Sequence, residues 1–247
     1  MMLPEMMPVW LGAPLALFFG LITAIVLNRT LRMALLERPE DFPSAPAKPS
    51  SPAFPAPVGF PTPQVGRPLE TANLAILGAG SVVLALSPLG HSPFELFQGL
   101  LMFMLLYPLA LLDLLTQLLE SPLIIAGLAL RLGALALLKH EDLVEAVTGM
   151  LVGAGALYLV GFIYEALRGR QGLGDGDPAL MALIGAFVGW RNLAAVLLIA
   201  AALGLLVGYP LLRLRGAAFS TPIPFAPFLC LGGFVIYLMA RMGPPWL

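Results

Sequence analysis

Residues 94–113 read FELFQGLLMFMLLYPLALLD, an apolar run of about the length that crosses a hydrocarbon core of roughly 30 Å. Glu95 near its start and Asp113 at its end are its only charges. Similar runs lie near 9–28, 72–89, 122–138, 144–164, 178–190, 192–209 and 224–241. Hydrophobic residues make up 59% of the chain and charged residues 11%, with a mean hydropathy of +0.92. The expectation is therefore an all-α, polytopic transmembrane helical bundle of about eight spans. Little besides Trp190 and Arg191 separates the sixth run from the seventh, so seven spans is the alternative count.

Orientation follows from where the basic residues fall. Under eight spans with the N-terminus outside, nine of the 13 Lys and Arg residues lie on the cytoplasmic side, among them Arg29, Arg32, Arg168, Arg170, Arg213 and Arg215. Arg131, Lys139, Arg191 and Arg241 lie toward the other face. That bias is the positive-inside pattern, and it predicts a non-cytoplasmic N-terminus. The run from Val9 to Leu27 lacks a basic leader and a small-residue cleavage site, and reads as a retained helix.

Three parts follow: a first helix and its flank (1–36), a linker (37–71) and a membrane domain with about seven spans (72–247). The linker carries a proline every few residues and few large aliphatics. It cannot bury enough apolar surface to offset its chain entropy, and is expected to be extended and cytoplasmic. A net charge of −1 and the lack of a basic patch argue against a nucleic-acid partner. The single cysteine, Cys230, lies in an apolar run and reads as a small core residue.

The acidic residues carry the functional signal. A carboxylate within a bilayer costs about 3 kcal/mol or more and tends to mark function, the alternative being a solvated carboxylate at a helix end. Asp113 closes the third run, and GLGDGDPALMALIGAFVGW, Gly172 to Trp190, opens the sixth with Asp175 and Asp177. The third span ends and the sixth begins on the same predicted face, so these acids can meet at one depth. Two carboxylates brought together share a proton over part of the pH range. The ionised one can activate water while the protonated one polarises a carbonyl, which is peptide hydrolysis without metal or covalent intermediate. Gly172, Gly174 and Gly176 are expected to permit unusual backbone dihedrals and close approach of a substrate strand. The two histidines, His91 and His140, fall in predicted non-cytoplasmic loops away from any Cys/His cluster, so a metal site is not supported. No GxSxG elbow or P-loop occurs.

These residues resemble the type IV prepilin peptidases, the GxGD-type membrane aspartyl proteases. ALLDLLTQLLES resembles the family's "IDxxxxxLP" segment, and GLGDGDPALMALIGAFVGW its "GxGDxKLxAxxGxxxGW" segment. PIPFAPFLCLGG, Pro222 to Gly233, and GLITAIVLNRTLR, Gly20 to Arg32, resemble two further segments. GxGD occurs twice, ending at Asp175 and at Asp177; the spacing in DPAL and the gapless match through Gly185, Gly189 and Trp190 favour Asp177. The resemblance implies Asp113 and Asp177 as catalytic residues, with Asp175, Gly174 and Gly176 as catalytic or supporting candidates.

The resemblance further implies an endopeptidase of the bacterial inner (cytoplasmic) membrane, in type IV pilus or type II secretion systems, that cleaves leaders from pilin-like precursors. Its partners would be those precursors and membrane lipids, and proteolysis would need no cofactor. Ala179 stands where the family has lysine, and Leu119-Glu120-Ser121 where it has "LPD". The cysteine-free linker replaces a zinc-binding tetracysteine loop associated with N-methylation, so S-adenosylmethionine would be needed only if methylation is retained. A non-catalytic scaffold that binds pilin-like helices is the alternative reading.

Overall fold

The computed structural model describes residues 20–21, 23–25, 27–29, 67–86, 93–116, 121–138, 142–169, 173–174, 176–208, 210 and 224–242. Among them there are helices and turns and no strand. Described positions within 20–29 are helical. They are followed by α1 (Arg67–Leu86), α2 (Pro93–Thr116), α3 (Ser121–Leu137), α4 (Leu143–Arg168), α5 (Asp177–Val188), α6 (Leu193–Leu203) and α7 (Ala226–Met242). A 3-10 turn, Trp190–Asn192, leads into α6, and a π turn, Gly204–Gly208, continues it. The chain is a polytopic helical membrane protein. Phe94–Leu115, Leu143–Arg168 and Trp190–Gly208 are long and apolar enough to cross a membrane, and four further apolar helices are shorter.

Two boundaries differ from the sequence expectation. α1 begins at Arg67, inside the stretch assigned to the linker, whose residues 37–66 lie outside the described residues. The sixth run is a helix of only 12 residues, about 18 Å long at 1.5 Å per residue, and it is buried from Leu180 to Val188. A helix apolar on every side belongs in the core of a bundle, and α5 is that core, packed by α3, α4 and α7. It stops at Gly189, whose φ of +75° favours glycine.

Small residues bring α4 against α5. The buried residues of α4 are Ala146, Gly149, Gly153 and Leu157, three to four positions apart and so on one face. Gly149 and Gly153 form a small-xxx-small pair, the pattern that lets membrane helices approach backbone to backbone. The rest of α4 is widely exposed through Leu151, Tyr158, Leu159, Phe162 and Leu167, as a lipid-facing surface should be.

α2 and α7 pack side by side and run in opposite directions. At one end Arg241 of α7 meets Glu95 of α2 (3.1 Å) and Asp142, which precedes α4 (2.8 Å). At the other end the first residue of α7 reaches Asp113 of α2. The N-terminal segment joins through a polar chain: Tyr107 Oη donates to Asn73 Oδ1 (2.8 Å), and Asn73 Nδ2 donates to Asn28 Oδ1 (2.6 Å). Three helical segments are thereby cross-linked beside the half of α2 that carries Asp113.

Candidate active site

Asp113 sits in the last turn of α2, not beyond its end, because the helix continues to Thr116. Leu109 and Leu112 on the same helix are buried with it. Pro108 interrupts α2 without ending it; a proline within a membrane helix is tolerated where neighbouring groups satisfy the freed carbonyl. Asp177 is the first residue of α5, followed by Pro178, whose fixed φ and missing N–H suit the first helical turn.

The bundle brings the two acids together. Asp113 and Asp177 are within electrostatic reach of each other, and both are within reach of Cys230 on α7. Asp113 is 7% exposed and Asp177 5%. Each carboxylate is held by a backbone donor: the N–H of Ala226, at the start of α7, donates to Asp113, and the N–H of Gly174 donates to Asp177 Oδ2 at 3.2 Å. Both donors are amides that a helix leaves unpaired or a turn leaves free, well suited to a carboxylate. Asp113 Oδ2 is buried with no hydrogen-bond partner, and an orphaned acceptor of this kind in a native site calls for a water or a substrate proton.

The glycine motif works differently from the expectation. Gly176 has φ −85°, an ordinary helical value, and Gly174 is not among the positive-φ glycines. Close approach is the reason at Gly174: a β-carbon there would lie 3.2 Å from Asp177 Oδ2. The turn closes on itself, since Asp177 N donates to Gly174 O (3.1 Å) while Gly174 N donates to the Asp177 carboxylate. Asp175 and Gly172 lie outside the described residues. Ala179 is half-buried and packs on the main core.

The sequence reading assigned no role to Ala226, whose backbone N–H reaches Asp113. A backbone donor leaves no signature in residue type; the signal available was Pro224 and Pro227 just before an apolar run, which mark a helix start. It also read Arg131 only as a charge near the far membrane face, whereas the side chain is buried.

Residues 100–209 match the type IV leader peptidase family, and the stretch includes both aspartates. That stretch is similar to type IV leader peptidase domains. Among relatives of this domain, the prepilin leader peptidase/N-methyltransferase of Pseudomonas putida is 38% identical over 133 residues, 54% of this chain and 46% of the relative. The protein of the same name from Stutzerimonas stutzeri is 34% identical over the same shares, and that from Burkholderia pseudomallei strain 1026b is 40% identical over 116 residues, 47% of this chain and 36% of the relative. The match thus spans less than half the length of these relatives. No solved structure shows a significant match.

Proposed function

We propose that the leader peptidase domain is an aspartyl endopeptidase that removes the leader from pilin-like precursors at the cytoplasmic face of the bacterial inner membrane, with Asp113 and Asp177 as its catalytic pair. The observation that carries this reading is the meeting of two buried carboxylates from separate helices, one of them with an unpartnered oxygen. In the proposed step the pair holds one proton. The ionised member takes a proton from water as that water attacks the scissile carbonyl carbon, and the protonated member donates to the carbonyl oxygen. Collapse of the tetrahedral intermediate breaks the C–N bond, with a proton delivered to the leaving amine. The backbone donors at Ala226 and Gly174 fix the two carboxylates in place, which confines the cost of ordering them to folding rather than to each turnover.

The precursor's own apolar helix would lie against the bundle and set the scissile bond at the acids. Proteolysis of this kind requires only the two carboxylates and water; the methylation in the relatives' name would require S-adenosylmethionine, to which we assign no residue.

Cleavage of a purified pilin-like precursor by wild type, Asp113→Asn and Asp177→Asn tests the reading. Wild type should cleave, and both variants should lose nearly all turnover while still binding precursor, because an amide cannot exchange the required proton. A folded wild type that binds precursor without cutting it would favour the scaffold instead.

A further inference from the structure

The end of the bundle away from the aspartates holds a second polar site. Glu95 and Asp113 lie 18 residues apart on α2, about 27 Å at 1.5 Å per residue. Near the Glu95 end is a cavity of about 200 Å³ lined by Arg131, Asp142, Glu145, Asn192, Tyr237 and Arg241, among others. Proteolysis makes no use of it.

Its charges are unevenly matched. Arg241 is committed to Glu95 and Asp142. Arg131 is 1% exposed; its Nε donates to the Ala186 carbonyl (3.1 Å), and its guanidinium lies over the Phe187 ring, 5.0 Å from the centroid. Its Nη1 has no hydrogen-bond partner, and neither has the hydroxyl of Tyr237, itself 1% exposed. Asp142 and Glu95 lie within electrostatic reach of Arg131, but nothing accepts a hydrogen bond from its Nη1, and a buried guanidinium N–H without an acceptor is costly. A phosphate would serve both the Arg131 N–H and the Tyr237 hydroxyl.

A bare anion is not the best complement, because Glu145 and Asp142 also line the cavity. A ligand with a phosphate and an ammonium a few ångströms apart satisfies both signs. Leu137, Leu138 and Val144 are 85%, 62% and 72% exposed where α3 passes to α4, and Val144 adjoins Glu145 in the chain. Large apolar side chains exposed at the same end of the bundle as a headgroup-sized cavity are suited to acyl chains. We propose that this cavity binds the headgroup of a zwitterionic phospholipid, with the phosphate on Arg131 and Tyr237, the ammonium on Glu145, and the acyl chains over Leu137, Leu138 and Val144.

The test is native mass spectrometry of delipidated full-length protein in detergent. It would be titrated with dioleoylphosphatidylethanolamine, with dioleoylphosphatidylglycerol, which has the phosphate but no ammonium, and with free phosphoethanolamine as competitor. Wild type should bind the ethanolamine lipid about tenfold more tightly than the glycerol lipid, as expected for one charge-assisted hydrogen bond. Tyr237→Phe should weaken both lipids about tenfold by the same reasoning. Glu145→Gln should weaken the ethanolamine lipid alone, and Arg131→Gln should abolish binding. Should Arg131→Gln not fold, the other two variants decide. Equal binding of the two lipids by wild type overturns the ammonium contact, and competition by phosphoethanolamine at lipid-like concentrations overturns a lipid in favour of a soluble ligand. Wild-type binding by both Tyr237→Phe and Glu145→Gln overturns the site altogether. None of these readouts depends on proteolysis.

Discussion

Gly149 of α4 and Gly185 of α5 meet so closely that a β-carbon built on either would overlap the carbonyl oxygen of the other. The same face of α4 places Gly153 against the Met181 carbonyl, so α5 is seated on its neighbour over two turns, and Asp177 at its start is positioned by that seat. Gly149→Ala or Gly185→Ala should therefore force the helices apart and cost about 1–3 kcal/mol, read as a lower thermal midpoint. Gly155→Ala is the internal control, because a β-carbon there meets nothing within 4 Å; it should leave the midpoint unchanged or raise it. Equal effects at positions 149 and 155 would mean that helix propensity, not close packing, governs these glycines.

Much of this was legible in the sequence, for reasons that differ by element. Runs such as 94–112 gave the helical class because only a helix satisfies its own backbone in lipid. Asp113 and Asp177 stood out because carboxylates are expensive where they occur. Hydropathy could not tell a lipid-facing span from a helix buried on all sides, so the sixth run read as a span although α5 is 12 residues long and sits in the core. Nor could it show that Arg131 points inward, because side-chain direction depends on which helices surround it. The role of Gly174 was half read: the need for a glycine was visible, but the cause, contact with the Asp177 carboxylate, lies in the fold.

Gly174→Ala separates that contact from general stability. Gly174 is exposed, so the change should alter stability by no more than about 0.5 kcal/mol and leave the thermal midpoint close to that of wild type. The new methyl would press on Asp177 Oδ2 and disturb the N–H that holds it. Removing one donor hydrogen bond to a charged group corresponds to a loss of about tenfold or more in cleavage rate. An unchanged rate with an unchanged midpoint would show that the turn does not position Asp177 for turnover.

The Arg241 cluster should behave as a unit. Arg241→Gln leaves Glu95 and Asp142 without their shared cation and should destabilise the bundle by about 1–3 kcal/mol, less at high salt because these side chains are partly exposed. In that background Asp142→Asn should recover part of the loss. A double-mutant cycle on thermal midpoints gives the coupling, and strict additivity would mean that the three groups do not act together.

Ala179 offers the sharpest contrast between sequence pattern and structure. The family that the chain resembles has lysine at this position, two residues after Asp177, and a cation so close in sequence invites the idea that it would assist the carboxylate. On a helix, however, residues i and i+2 do not face one another, and Ala179 is turned toward the main apolar core. A lysine there would have to bury its stem and send its ammonium outward, at a cost of about 1–3 kcal/mol if the head stays poorly solvated. Ala179→Lys should accordingly lower the thermal midpoint without shifting the pH profile of precursor cleavage. Ala179→Met, similar in length and uncharged, should be tolerated better. If the lysine variant instead cleaves faster than both wild type and the methionine variant, with a displaced pH profile, the ammonium reaches Asp177 despite the helical register. The missing cation would then be what limits this chain.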